Sequence, residues 1–389
     1  MLLPFTSLRM VLLRTTLAFL LCCLPTIAFA QLATVEHLAK PGFWPTRVNR
    51  PTDEFVGQAV CAKCHAQIAA VQKTTAMAQS LASAPEALQT HPSLTFRSGR
   101  YAYAINTSGS QSVYTVTDGD HQLSALLAWA FGNGQVGQSY LYENDRRWYE
   151  ARTSYFGSID QLHFTPGRAL ASPQDLEEAM SRPVNNSDVM RCFKCHATGV
   201  TSDRIVSTDN LFLGISCEAC HGPGGKHVAE MQAEILAAGG AVDEKEQKFI
   251  FNPALLTPND SVDFCGGCHG TWWDVQLAGK EQRTNVLLSP PYRLVGSKCW
   301  GKGDARLTCI ACHDPHAPRE RRPEFYDSKC LACHVSSGSV TADHPGKPCP
   351  AGSPKCVSCH MPKIEVPGFH HAFPDHRIRI VRTGDPFPD

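Results

Sequence analysis

The stretch Ile215-Ser-Cys-Glu-Ala-Cys-His-Gly-Pro-Gly-Gly-Lys-His227 carries the pattern C-x-x-C-H at Cys217, Cys220 and His221. The same pattern stands at Cys61-Cys64-His65, Cys192-Cys195-His196, Cys265-Cys268-His269, Cys309-Cys312-His313, Cys330-Cys333-His334 and Cys356-Cys359-His360, so seven copies absorb fourteen of the eighteen cysteines. A redox dithiol or half of a zinc site makes no demand on a following histidine, and seven identical placements exclude chance. The pattern is the attachment signature of c-type haem. Two thiols add to the two vinyl groups on one porphyrin edge, and the next imidazole then reaches the iron as proximal ligand. The expectation is seven covalent haems c, held by these Cys pairs and ligated by His65, His196, His221, His269, His313, His334 and His360.

Spacing sets the organisation. A gap of 127 residues without a motif separates Cys64 from Cys192, whereas twenty separate His196 from Cys217, sixteen His313 from Cys330 and twenty-one His334 from Cys356. Short tethers force neighbouring haems close together, as electron hopping requires. Within the gap, Thr95 to Ile105 and Ser112 to Thr117 alternate and are rich in Tyr, Val and Thr, with turn signals at Asn106-Thr-Ser-Gly and Asp118-Gly119. Gln138 to Glu143 and Arg147 to Tyr155 read as a second hairpin around Asn144-Asp145. These predict a small antiparallel β subdomain, residues 94–156, between a segment with the first haem (31–93) and a six-haem domain (157–389). A helix is expected over Ala66 to Ser83, another from Ser172-Pro173 to Arg182, and a helical spacer over 228–248 containing Gly239-Gly240. With about fifty residues per haem, the haem regions are expected to hold short helices and extensive loops, and the chain to fold only with its cofactors.

Ten further histidines are available for the sixth iron positions. A histidine three to six residues after a proximal one cannot reach round the same ring, so His227 and His316 serve a neighbouring haem if they are ligands. Pro and Gly turns aim both. His344, His371 and His376 in the haem-dense tail are the other candidates. His91, His121 and His163 lie in or beside the β segment, where the simpler reading is a hydrogen-bonded structural histidine; His37 reads as a surface residue. Met77 is either a ligand or core filler. Of the four other cysteines, Cys22 and Cys23 lie in the first thirty residues, and Cys299 and Cys349 are left over, as a disulfide or as two buried thiols.

Residues 1–30 read as a signal peptide: Arg9 and Arg14 are the only charges, Leu17 to Leu24 is a short apolar run, and Ala28-Phe29-Ala30 is a small-x-small site. No later segment is long and apolar enough to span a bilayer. Export to the periplasm or cell surface follows. The formal charge is zero, without a basic footprint for nucleic acid. Losing the two leader arginines and gaining about one negative charge per ferric haem brings the expected holoprotein to about −9.

Ile215 to His227, Leu307-Thr-Cys-Ile-Ala-Cys-His-Asp-Pro-His316 and Cys356-Val-Ser-Cys-His-Met-Pro-Lys363 with Asp375-His376-Arg377-Ile378 resemble the cytochrome c-554-like multihaem family. Phe251-Asn-Pro-Ala and Gly134-Gln-Val-Gly-Gln-Ser-Tyr-Leu141 extend the resemblance over most of residues 56–380. It implies a mainly α fold with extensive loops organised around stacked haems, electron transfer outside the cytoplasm, and His227 and His316 among the distal ligands. The chain departs from the family in carrying seven motifs, where small members have four, and in showing no tetratricopeptide repeat. Two functions remain open at this point. One is an electron carrier without its own substrate turnover, and therefore without catalytic residues. It would exchange electrons with other cytochromes or a quinol-linked complex, alone or docked in a larger assembly. The other is an oxidoreductase with one open-site haem acting on a small nitrogen or sulfur compound, for which the haem of Cys61 is the best candidate.

Overall fold

The alternation of Tyr101, Tyr103 and Ile105 against Ser112, Tyr114 and Val116 decides the architecture between the first two motifs, because each set is buried on one face of its strand. Ile105 stands opposite Tyr114 and Tyr103 opposite Val116 across the antiparallel pair. A computed structural model describes residues 54–168, 172–200, 211–237, 249–271, 275, 288–300, 306–332, 334 and 355–382, all within the unit Pro41–Asp389.

Fifteen strands are present among these residues. They are β1 (Leu81–Ser83), β2 (Ser93–Ser98), β3 (Tyr101–Ser108), β4 (Gln111–Thr117), β5 (Gln122–Leu126), β6 (Trp129–Phe131), β7 (Ser139–Asn144), β8 (Arg147–Ala151), β9 (Thr153–Phe156), β10 (Gln161–Phe164), β11 (Ser181–Val184), β12 (Ala197–Thr198), β13 (Phe212–Leu213), β14 (Lys363–Glu365) and β15 (Ala372–Pro374). One sheet runs β2-β3-β4-β5 and another β1-β6-β7-β8-β11, with three two-stranded ribbons besides. The turns at Asp118-Gly119 and Asn144-Asp145 fall where the sequence places them, whereas Asn106 to Ser108, expected to turn, pair within β3 and the chain reverses at residues 109–110. Asp118 Oδ1 accepts from the main-chain N–H of Asp120 and His121, and Asp145 and Arg146 take the left-handed conformation that closes β7 onto β8.

Two cores follow. Leu94, Tyr103, Ile105, Tyr114, Val116, Tyr140 and Leu162 form the first, which draws on both large sheets and on Leu88 and Met180. The second joins Leu81, Leu141 and Val184 of the five-stranded sheet to Val189, Phe193 and Ala197 beside the second motif.

The helices are α1 (Gln58–Cys61), α2 (Ala66–Gln72), α3 (Ala84–Ala87), α4 (Leu176–Met180), α5 (Asn186–His196), α6 (Cys217–His221), α7 (Gly225–Ala237), α8 (Pro258–His269), α9 (Pro290–Val295), α10 (Pro323–Leu331) and α11 (Cys356–His360). Asp175, Asn185 and Thr257 cap α4, α5 and α8 with side-chain oxygens.

The expectation of a mainly α fold fails. The described residues are 34% helix and 25% strand, a mixed fold with five sheets among them. The physical reason is that a motif needs only one helical turn, while the long gap spends its residues on strand pairing. The helix expected over Ala66 to Ser83 ends at Gln72, because Leu81 to Ser83 pair with Trp129 to Phe131 instead. The helix expected to reach Arg182 ends at Met180, where β11 begins pairing with β8. Helix α7 is described to Ala237; Gly239-Gly240, the proposed leader, His37, Cys333, His344 and Cys349 lie outside the described residues. Among the described residues, no helix is long and apolar enough to cross a membrane.

Candidate haem sites

Residues three apart on a helix share a face, so one turn presents both cysteines of a motif to the same side. Helices α5, α6, α8 and α11 all end on their motif histidine. Gly222 and Gly270 follow α6 and α8 in left-handed conformations. At Gly270 a Cβ would stand 2.3 Å from Ser289 Oγ, so only glycine fits.

The imidazoles are oriented from behind. His196 Nδ1 donates to Ser80 O at 2.9 Å, His221 Nδ1 to Phe251 O at 2.8 Å and His360 Nδ1 to Arg379 O at 2.9 Å. A carbonyl can only accept, so Nδ1 carries the proton and Nε2 keeps the lone pair a metal needs. Burial pushes His196, His221, His269 and His313 below the usual imidazole range, which favours the neutral, ligating form.

Two histidine pairs stand out. His221 and His316 have ring centroids 6.0 Å apart and planes 7° from parallel; His313 and His376 are 6.2 Å and 35° apart. A metal–imidazole bond is about 2 Å, so two in-line imidazoles on one metal have centroids roughly 6 Å apart. Both pairs fit an iron between them, and in neither does a histidine pair with its own motif. His316 Nδ1 lies 3.7 Å from Asp314 Oδ1, and His376 Nδ1 donates to Pro374 O at 3.1 Å. Burial, with His313 nearby, pushes His376 down to about 4.

His376 is set by its neighbour Asp375, which lies in a stretch that carries the resemblance but had no role assigned to it from the sequence. Asp375 is fully buried and accepts from Arg293 Nε and Nη2, both at 2.9 Å, from the main-chain N–H of Arg377 at 2.9 Å, and from Arg379. Arg293 is itself buried. Burial alone would raise the Asp375 carboxyl, but the bonds from Arg293, Arg377 and Arg379 hold it below its ordinary range. Nothing in the sequence marked Asp375 as buried, because its partner Arg293 lies 82 positions away.

Motifs touch one another. Cys61 and Cys217 are hydrogen-bond partners, which raises the Cys61 thiol and lowers that of Cys217 to about 7. Cys265 and Cys309 are coupled in the same way, with Cys309 lowered to about 7. Cys195 Sγ lies 3.9 Å from Gly267 O, between the second and fourth motifs. The Val357 main-chain N–H donates to Asp327 Oδ1 at 2.8 Å, joining the seventh motif to the helix of the sixth. The His313 ring is 5.5 Å from Tyr326 on that same helix.

The remaining candidates are placed as follows. His227 is half-buried on α7, and with His65 is close enough to contribute to the lowering of His221. His371 packs at 4.9 Å on Phe373. His91 is bonded at both nitrogens, to Thr90 Oγ1 and the Tyr155 hydroxyl, each at 2.9 Å. His121 sits in the turn beside Asp118. His163 packs on His370 with ring centroids 4.5 Å apart. Cys299 is a free thiol raised by burial.

Comparison with known proteins agrees with this chemistry. Residues 156–222 match the family model described as cytochrome c554 and c-prime. A curated relative, the multiheme cytochrome MtrA of Shewanella baltica (strain OS185), is 25% identical over 209 residues, covering 52% of this chain and 57% of the relative. The chain thus spans about half the length of the curated relative it matches. A solved structure, the outer cell wall cytochrome OcwA, aligns over 84% of this chain and 80% of its own at 16% identity, with a TM-score of 0.39, too low to carry a shared fold. The matched residues 156–222 include the second and third motifs, and over them the chain is similar to the cytochrome c554 and c-prime family.

Proposed function

We propose that the chain is an exported seven-haem c-type cytochrome that relays electrons in the periplasm or at the cell surface, without substrate turnover of its own. The observation that carries this reading is the interlocking of the motifs. The first abuts the third, the second the fourth, the fourth the fifth and the sixth the seventh, while His316 and His376 reach across to other motifs at the span of an iron. Bound haem supplies a one-electron iron couple at each site.

The chain's own residues hold and order those couples. The fourteen motif cysteines fix each ring by its edge, and the motif histidines approach the iron with Nδ1 tied to main-chain carbonyls where that bond is present. His221 with His316, and His313 with His376, would hold an iron between them, the iron supplying the one-electron couple. His227, His344 and His371 are the further distal ligands of this reading. Redox partners are other cytochromes or a quinol-linked complex.

Intact-mass measurement of the exported chain tests it directly: seven haem masses are expected, and bare thiols or bound zinc would remove the reading. Ferric EPR then separates relay from enzyme. Low-spin signals from every haem are expected, whereas a high-spin haem that binds nitrite or hydroxylamine would replace the relay with an oxidoreductase.

A further inference from the structure

Glu218 occupies a variable position of the third motif, directly after Cys217, yet its carboxylate is buried at 1% exposure. Its Oε1 accepts from the main-chain N–H of Val56 at 2.9 Å and of Gly224 at 2.8 Å, and its Oε2 from that of Gly57 at 2.8 Å. Val56 and Gly57 lead into the first motif, and Gly224 belongs to the turn that closes the third. A Cβ at Gly224 would meet Glu218 Oε1 at 3.3 Å and Val56 Cγ2 at 3.2 Å, so the turn closes tightly on the carboxylate. Three donors suit a carboxylate, which only accepts when ionised.

Among the described residues, no cation pairs with it. A buried anion without a counter-charge is costly. On the haem reading, the iron would be the positive charge that partly offsets it, even though each ferric haem with its two propionates adds net negative charge.

Resting on the haem reading above, we propose that Glu218 is a positioning residue with an electrostatic role. It clamps the first site to the third and holds down the reduction potentials of both. Adding an electron to ferric iron removes one positive charge, and a fixed neighbouring anion then loses its partner. Reduction is therefore disfavoured at these two sites relative to the other five.

The test is spectroelectrochemical titration of the fully matured full-length chain and two variants, with haem counted in each by intact mass. Glu218→Gln keeps the size and removes the charge; Glu218→Asp keeps the charge and shortens the reach. The expected result is a positive shift of two midpoint potentials in Glu218→Gln, the other five unmoved, with the two restored toward the parent values in Glu218→Asp. The proposal is overturned if Glu218→Gln shifts nothing, or if both variants shift alike, which a purely structural clamp would give. It is overturned equally if either variant loses haem, because Glu218 then serves assembly. A parent chain carrying no haem would instead sink the haem reading itself, and the mass count tells the two failures apart.

Discussion

Residues that touch iron and residues that support them are separable by experiment. His316→Ala removes one imidazole of the 6.0 Å pair without touching a motif. One low-spin haem is expected to become high-spin while the haem count holds; an unchanged EPR spectrum would strike His316 from the ligand set. Asp375 works from behind His376. Replacing it with Ala strands the buried Arg293 guanidinium, and losing one partner of a buried pair costs about 3–5 kcal/mol. Because its folded-state carboxyl is held below the unfolded value, Asp375 contributes stability that is fully present above the ordinary carboxylate range. That stability is lost as pH falls through the depressed value. Urea midpoints of the holoprotein should therefore hold down to about pH 4 and fall below it, and Asp375→Asn should flatten that acid limb. The motif residues could be proposed from the sequence because covalent haem attachment would demand them contiguous. Glu218, Asp375 and Arg293 could not, because a buried charge is recognised by what surrounds it.

Elements that alternate strictly could be read locally; elements that depend on a distant partner could not. Strands β3 and β4 announce themselves through Tyr, Val and Ile at every second position, and their registers follow. Strand β1 carries no such signal in Leu81-Ala-Ser83, and exists because β6 lies beside it nearly fifty positions later. The mainly α expectation failed on the same ground: five-residue motif helices such as α6 and α11 leave the balance of structure to the sheets. The join between the two kinds of element is Phe193, inside the second motif and fully buried, with its ring 5.2 Å from Phe131 and 5.7 Å from Trp129. Phe193→Ala is expected to cost about 3–5 kcal/mol. Hydrogen exchange should report loosening of α5 and β6 together; loosening of α5 alone would mean the sheet does not brace the second site.

Across the whole chain, sites are completed by segments remote from them. His221 faces a residue 95 positions downstream and His313 one 63 positions downstream, so under this assignment neither coordination sphere can close while its own motif is the last part of the chain to have emerged. On the haem reading proposed above, the third and fifth sites would therefore be complete only in a chain that extends through residue 376.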